Sequence, residues 1–257
     1  MALITFLSDF GTTDHYVAAV KAKILEVNSN LKIVDISHDI ESCNLAQASF
    51  TLNAVYRDFP EATIHLVAVN SSTGPNDKFL GLKLDGHYFL GNDNGLWGLL
   101  SANEASQVVN INSIKPVTST FPARDILAGV AAKLASGSTL SDLGKPVKEY
   151  KRLLGRISRA TKKQINGHVI HIDHYGNLIT NILQEDFKVL SKGKAFSIKF
   201  GRETVHHIQN SYNSVDSGDA VLLFNSLGLL EIGISHGDAS KLLGLKFDSP
   251  VLINFEE

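Results

Sequence analysis

The sequence predicts an α/β fold in two parts: a Rossmann-like N-terminal α/β domain with a mostly parallel sheet, and a smaller C-terminal antiparallel β domain. Three observations carry this. Apolar strand-like runs alternate with helical periodicity through the first 150 residues; a basic stretch at 151–164 interrupts the pattern; and residues 165–257 read as short strands separated by Gly, Asn, Asp and Ser.

In the first run, Ile4 to Leu7 breaks at Ser8-Asp9, turns through Gly11, and resumes with helical spacing at Tyr16, Val17, Val20, Ile24 and Leu25. Thr12, Thr13 or Asp14 is placed to cap that helix. LKIVDIS (31–37) is a second strand, LAQASFTLNAVYRDF (45–59) a helix stopped by Pro60, and TIHLVAV (63–69) a third strand running into NSSTGPND. KFLGLKL and HYFLG join across Asp85-Gly86 as a hairpin. STFPARDILAGVAAKLASG (119–137) supplies another helix, with Pro122 near its start and Gly137 near its end. Eight of the 24 Lys and Arg residues then fall within positions 145–164, a solvated connector. Beyond it GHVIHID, NLITNIL, AFSIKF, ETVHHI, AVLLFNS, GLLEIGI and VLINF are the strands of the second domain.

At 257 residues, 44% hydrophobic and 19% charged, the chain is an ordinary globular sequence with a real core. A formal charge of −2 does not advertise nucleic acid or an anionic membrane. The first residues lack a basic leader and no stretch is long enough for a membrane span, so the expected location is cytoplasmic. Cys43 is the one cysteine and reads as buried filler. His168 and His171 point to opposite faces of a strand, and no zinc spacing, P-loop or nucleotide fingerprint appears; no metal and no cofactor is expected.

Chemistry is left to the polar loops that interrupt apolar strands: 8–14, 70–74, 92–95, 120–125, 173–177 and 225–228. Asp9 falls at a strand's carboxyl end, where open α/β sheets bind ligands. A carboxylate there suits a vicinal diol such as ribose, since it accepts two hydrogen bonds at once, and suits a phosphate poorly. The same residue also suits the simpler task of capping a turn. These features describe a small polar ligand and stop there.

Taken together, SDFGTTDHYVAAVK, the DISH turn at 35–38, FPEATIHLVAV, DNGL, STFPARDILAGVAAKLASG, IDHYGNLITNI and LFNSLGLLEIGIS resemble, in order, the adenosine-forming S-adenosyl-L-methionine hydrolases and their relatives the fluorinase and chlorinase. The resemblance implies a homotrimer, with substrate held where the N-terminal domain of one subunit meets the C-terminal domain of the next. It implies that Asp9 grips the ribose hydroxyls, Asp173 and Ser226 hold the methionine end, Asn177 reads the adenine edge, Tyr212 stacks on the base and Phe121 lines the reaction centre. Without the resemblance, Asn177 and Ser226 read as turn residues and Tyr212 as core.

The departures fall on the catalytic positions. The hydrolases' aspartate, arginine and histidine correspond here to Asn70, to the neighbourhood of Asp77 or Lys78, and to Pro122. The halogenases' tyrosine is also absent, their threonine has a counterpart in Thr73, and their serine corresponds to Ala123. Asn70 and Thr73 are therefore the candidate catalytic residues, able to orient a water or an anion though not to deprotonate it. The implied function is cleavage of S-adenosyl-L-methionine to adenosine and methionine. The alternatives are a non-catalytic binder of S-adenosylmethionine or adenosine and, less favoured by the residues, a halide-dependent adenosyltransferase.

Overall fold

Residues 3–8, 64–68 and 87–92 form adjacent strands of the first sheet, almost wholly buried, in which apolar side chains on both faces predominate. A computed structural model describes residues 3–72, 74, 77–100, 103–111 and 119–256, which divide into two units, Met1–Gly155 and Arg156–Glu257. In unit 1 the elements are β1 (Leu3–Ser8), α1 (Tyr16–Val27), β2 (Lys32–Ser37), α2 (Leu45–Asn53), β3 (Ile64–Ala68), β4 (Phe79–Leu84), β5 (His87–Asn92), α3 (Leu96–Leu100), β6 (Gln107–Asn110), α4 (Ala128–Ala135), α5 (Leu140–Leu143) and β7 (Lys145–Pro146). The strand order is β2-β1-β3-β5-β4-β6-β7.

The sheet is mixed rather than mostly parallel. β1 pairs in parallel with β2 and β3, and β3 with β5, but β4 runs antiparallel to β5 and β6, and β6 to β7. The reversal begins at the hairpin Asp85-Gly86 between β4 and β5, whose φ values of 48° and 81° give the left-handed turn that matches strand twist. Helices cover both faces. Ile4, Phe6, Leu66 and Leu90 pack with Val20, Ile24 and Ala131 on one side; Leu7, Val67 and Phe89 pack with Ala48, Leu52 and Trp97 on the other. Trp97 sits hard on the backbone, its Nε1 donating to the Asn92 carbonyl at 3.0 Å. A Cβ at Gly91 would stand 2.6 Å from the Val67 carbonyl oxygen and 2.8 Å from the Trp97 ring. Gly91→Ala is expected to cost about 1–3 kcal/mol, read as a lowered denaturation midpoint.

α1 opens at His15 with no side-chain cap, so none of Thr12, Thr13 and Asp14 plays the expected part. The helix expected over 45–59 ends at Asn53, with a 3-10 turn at Tyr56–Asp58. The segment 119–137 begins as a π-helical turn, Ala123–Leu127, behind Pro122, and continues as α4.

Unit 2 is an antiparallel sheet of β8 (Arg159–Ala160), β9 (Gln164–Ile172), β10 (Leu178–Leu183), β11 (Phe196–Phe200), β12 (Glu203–Val205), β13 (Ala220–Phe224), β14 (Leu229–Ile234) and β15 (Pro250–Phe255). The main order is β12-β11-β15-β9-β10-β14-β13, with β8 beside β9. Ile165, Val169, Leu178, Ile198, Leu222, Ile232 and Ile253 form its core. Two short helices were not evident in the sequence, α6 (Gln184–Leu190) and α7 (Ala239–Leu243). Tertiary packing decides α6: Phe187 meets Phe196, Phe224 and Phe255 at centroid distances of 5.0, 5.4 and 6.1 Å. Among the described residues no helix is long and apolar enough to cross a membrane.

Candidate functional site

β1 ends at Ser8, and the chain turns through Asp9 at the carboxyl edge of the parallel strands. Asp9 Oδ2 accepts the backbone N–H groups of Cys43, at 2.9 Å, and Asn70, at 3.0 Å. Both donors have left-handed backbones, φ 63° and 48°, a conformation uncommon outside glycine. Two loops are thus bent onto one carboxylate oxygen. Among the described residues Asp9 Oδ1 has no hydrogen bond, so its acceptor capacity is unspent within the chain. Cys43 is not buried filler: its backbone turns to reach Asp9 and its thiol stays exposed.

The DISH turn holds this loop from below. Ser8 Oγ lies 2.7 Å from His38 Nδ1, and the His38 carbonyl accepts Gly11 N–H at 2.8 Å. His38 Nε2 stands 3.1 Å from Asp35, whose other oxygen takes Lys21 Nζ at 2.5 Å. Burial pushes the Asp35 carboxyl up, but Lys21 and His38 outweigh it and hold it below the ordinary carboxylate range. Ser8 and His38, both buried, are structural partners of Asp9 that the sequence reading did not single out.

Asn70 opens the loop after β3, with its side chain exposed. The following residues are pinned by the 92–95 turn: Ser71 Oγ donates to Asn92 Oδ1 at 2.7 Å, Asn92 Nδ2 to the Ser72 carbonyl at 3.1 Å, and Asn94 Nδ2 to the Val69 carbonyl at 3.0 Å. Thr73 lies outside the described residues. Asp77 caps its own turn, accepting Gly74 N–H at 2.5 Å. Phe121 packs edge-on against Phe10 at 5.7 Å and Tyr16 at 5.3 Å, an aromatic group flanking the Asp9 loop. The guanidinium of Arg124 lies 5.1 Å from the Phe121 ring centre and binds Asp125 at 2.6 Å. That pairing holds the Asp125 carboxyl below its ordinary range, and Ser119 Oγ donates to it as well. Pro122 supplies no proton to this region.

In unit 2 the 173–177 loop closes on itself. Asp173 Oδ1 accepts Tyr175 and Asn177 N–H at 2.9 and 2.8 Å, and Oδ2 accepts Asn177 Nδ2 at 3.0 Å. Oδ2 keeps a lone pair for an external donor. Gly176, at φ 86°, permits the loop, and a Cβ there would fall 2.2 Å from Asp238 Oδ1. Asp238 caps α7 by accepting Lys241 N–H at 3.0 Å. Gly176→Ala therefore strains the backbone and displaces the cap, with an expected loss of about 2 kcal/mol. A thermal melt unchanged by this substitution would contradict the account of the loop.

Asp173, Asn177 and Tyr212 line one cavity of about 650 Å³, with Ser235, His236 and Asp238 along its far wall. Ser226 lines a second, of about 540 Å³, together with Leu223, Asn225 and Glu231; Tyr212 belongs to both. Tyr212 is 45% exposed rather than core, and its hydroxyl donates to Glu231. Burial and that carboxylate push the phenol's pKa upward. Glu231 escaped notice in the sequence, though a lone carboxylate inside the apolar run GLLEIGI was the signal.

Residues 4–144 match the SAM hydroxide adenosyltransferase N-terminal domain, and residues 167–252 match the SAM hydroxide adenosyltransferase C-terminal domain. An (R)-S-adenosyl-L-methionine hydrolase of Methanocaldococcus jannaschii is 30% identical over 95% of this chain and 93% of its own length. One from Thermus thermophilus is 29% identical over 98% and 99%, and a fluorinase of Actinopolyspora mzabensis is 23% identical over 90% and 89%. The crystal structure of a conserved protein from Thermotoga maritima superposes with a TM-score of 0.90 at 31% identity, covering 98% of this chain and 100% of that one. Two domain matches in the right order, spanning loops that converge on Asp9 and on Tyr212, place the chain in the SAM hydroxide adenosyltransferase family.

Proposed function

We propose that this chain cleaves S-adenosyl-L-methionine, water attacking the 5′ carbon to give adenosine and methionine. The observation that carries the reading is Asp9, one oxygen fixed by two backbone N–H groups and the other open, in a chain of this family. Such a carboxylate holds the two ribose hydroxyls in Rossmann-like fashion at the strand ends. In unit 2, Asp173 and Ser226 hold the methionine end, Asn177 reads the adenine edge, and Tyr212 carries the base; Phe121 lines the reaction centre. We further propose a homotrimer whose assembly completes the site from unit 1 of one subunit and unit 2 of the next, in a cytoplasmic protein without cofactor.

The oxygen of water forms the new bond to the 5′ carbon as the carbon–sulfur bond breaks. Its electron pair returns to sulfur, methionine leaves neutral, and the water's proton is released to solvent. A sulfonium needs no acid to depart, so rate comes from alignment and from collapse of charge in a site shielded from water. Asn70 and Thr73 orient the attacking water. Neither is a base, and Pro122 is none, so slow turnover is expected.

Purified protein incubated with S-adenosylmethionine, without and with halide, and separated by chromatography tests this. Adenosine and methionine in equal amounts, independent of halide, is the expected result. Retention of the ligand without product would instead support the non-catalytic binder that Asn70 and Pro122 suggest, and a halogenated nucleoside would support the transferase.

A further inference from the structure

We infer that Glu231 is a positioning residue that fixes Tyr212 and the Ser226 turn in a single arrangement, and so sets the wall that receives the adenosyl ligand. This rests on the functional reading above and adds a residue to it.

Glu231 is 3% exposed and stands in β14 directly across from Ile179 of β10 and Leu223 of β13, both buried. A carboxylate in such a place is costly unless it is paired. Its partners are neutral: one oxygen accepts from Tyr212 OH, the other from Asn225 Nδ2 at 3.0 Å. Among the described residues no lysine, arginine or histidine forms an ion pair with it. Core packing alone would favour an apolar residue here.

Each donor belongs to a different loop. Tyr212 starts a 3-10 turn, Tyr212–Ser214, and its half-exposed ring has little packing to hold it, so the hydroxyl anchor decides its orientation. Asn225 accepts Leu227 and Leu229 N–H at 3.0 and 3.2 Å, closing the turn that presents Ser226. Glu231 thereby couples the aromatic wall shared by both cavities to the hydroxyl lining one of them. Tyr212→Phe removes one donor, and Glu231→Gln leaves one acceptor oxygen for two donors, so each undoes one side of this coupling.

The test uses the full chain, with adenosine as the calorimetric probe and S-adenosylmethionine as substrate, in Tyr212→Phe, Glu231→Gln and the double variant. Tyr212→Phe takes one of two donors from Glu231 but removes no buried side chain, so it is expected to lower the melting temperature only modestly and to stay folded, and it remains informative if Glu231→Gln folds poorly. Each single variant is expected to weaken adenosine about fivefold to tenfold, and to raise KM by a similar factor with kcat within about twofold. The double variant is expected to be no worse than the worse single, the mark of one coupled unit. Unchanged adenosine affinity in folded Tyr212→Phe, or effects that simply add, overturns the inference while the functional reading stands. Wild-type protein that neither binds adenosine nor binds and cleaves S-adenosylmethionine overturns both.

Discussion

Asp9→Ala is expected to lower kcat/KM for S-adenosylmethionine at least about a hundredfold, since two charge-assisted hydrogen bonds to the ribose are each worth about 1.5–3 kcal/mol. The alanine also strips an acceptor from the left-handed Cys43 and Asn70 N–H groups, so loop and ligand are lost together. Asp9→Asn separates them. Its amide oxygen can replace Oδ2 toward both N–H groups, but the remaining group is a donor and gives a ribose diol one acceptor fewer. That variant is expected to melt near wild type while still losing most activity. Wild-type turnover in Asp9→Asn would remove Asp9 from substrate binding and leave it a loop anchor.

The second large effect is on stability in acid. Thr5, His65 and Phe89 form one row across β1, β3 and β5. The Thr5 hydroxyl meets His65 Nδ1 at 2.7 Å, His65 Nε2 lies 3.3 Å from His87 Nδ1, and Phe89 stacks on the imidazole at 4.9 Å. Burial, with His87 adding to it, pushes the His65 pKa from 6.5 down to about 3. The folded state therefore refuses a proton that the unfolded chain accepts. Full stability is present above pH 6.5 and is lost as pH falls from there toward about 3. Each pH unit in that window costs about 1.4 kcal/mol, approaching about 4 kcal/mol at its lower end. Burial also lowers the pKa of His87 and of His171, and their contributions carry the same sign. Denaturant midpoints measured at steps between pH 7 and 4 should fall steeply for the wild type and less steeply for His65→Phe combined with Thr5→Val, the latter sparing the threonine an unpaired hydroxyl. Parallel slopes would show that His65 is not the group responsible.

Much of this molecule was legible where apolar runs met polar loops. The hairpin at Asp85-Gly86 and the strands around Ile4, Ile64, Leu178 and Ile253 follow from local pattern. What that pattern could not give was tertiary. The same hairpin opens an antiparallel half of the sheet, continued by β6 and β7, which the alternation of strands and helices conceals. Phe187 sits in a helix because three distant aromatic rings receive it, and α1 starts behind His15 without a side-chain cap although capping residue types stand just before it. The place of Asp9 at a strand end was readable from the sequence. Cys43 was not, because its role belongs to its backbone N–H, which any residue type carries. Glu231 stood in plain sight as a charge in an apolar strand, but its meaning depends on Tyr212 and Asn225 arriving from other loops.

Mass spectrometry of the adenosine formed from S-adenosylmethionine in water carrying heavy oxygen tests the central claim most directly. Direct attack of water on the 5′ carbon predicts one heavy oxygen, located in the 5′ hydroxyl, with methionine released in equal amount. Adenosine without the label, or complete absence of product from protein that holds the ligand, would contradict it.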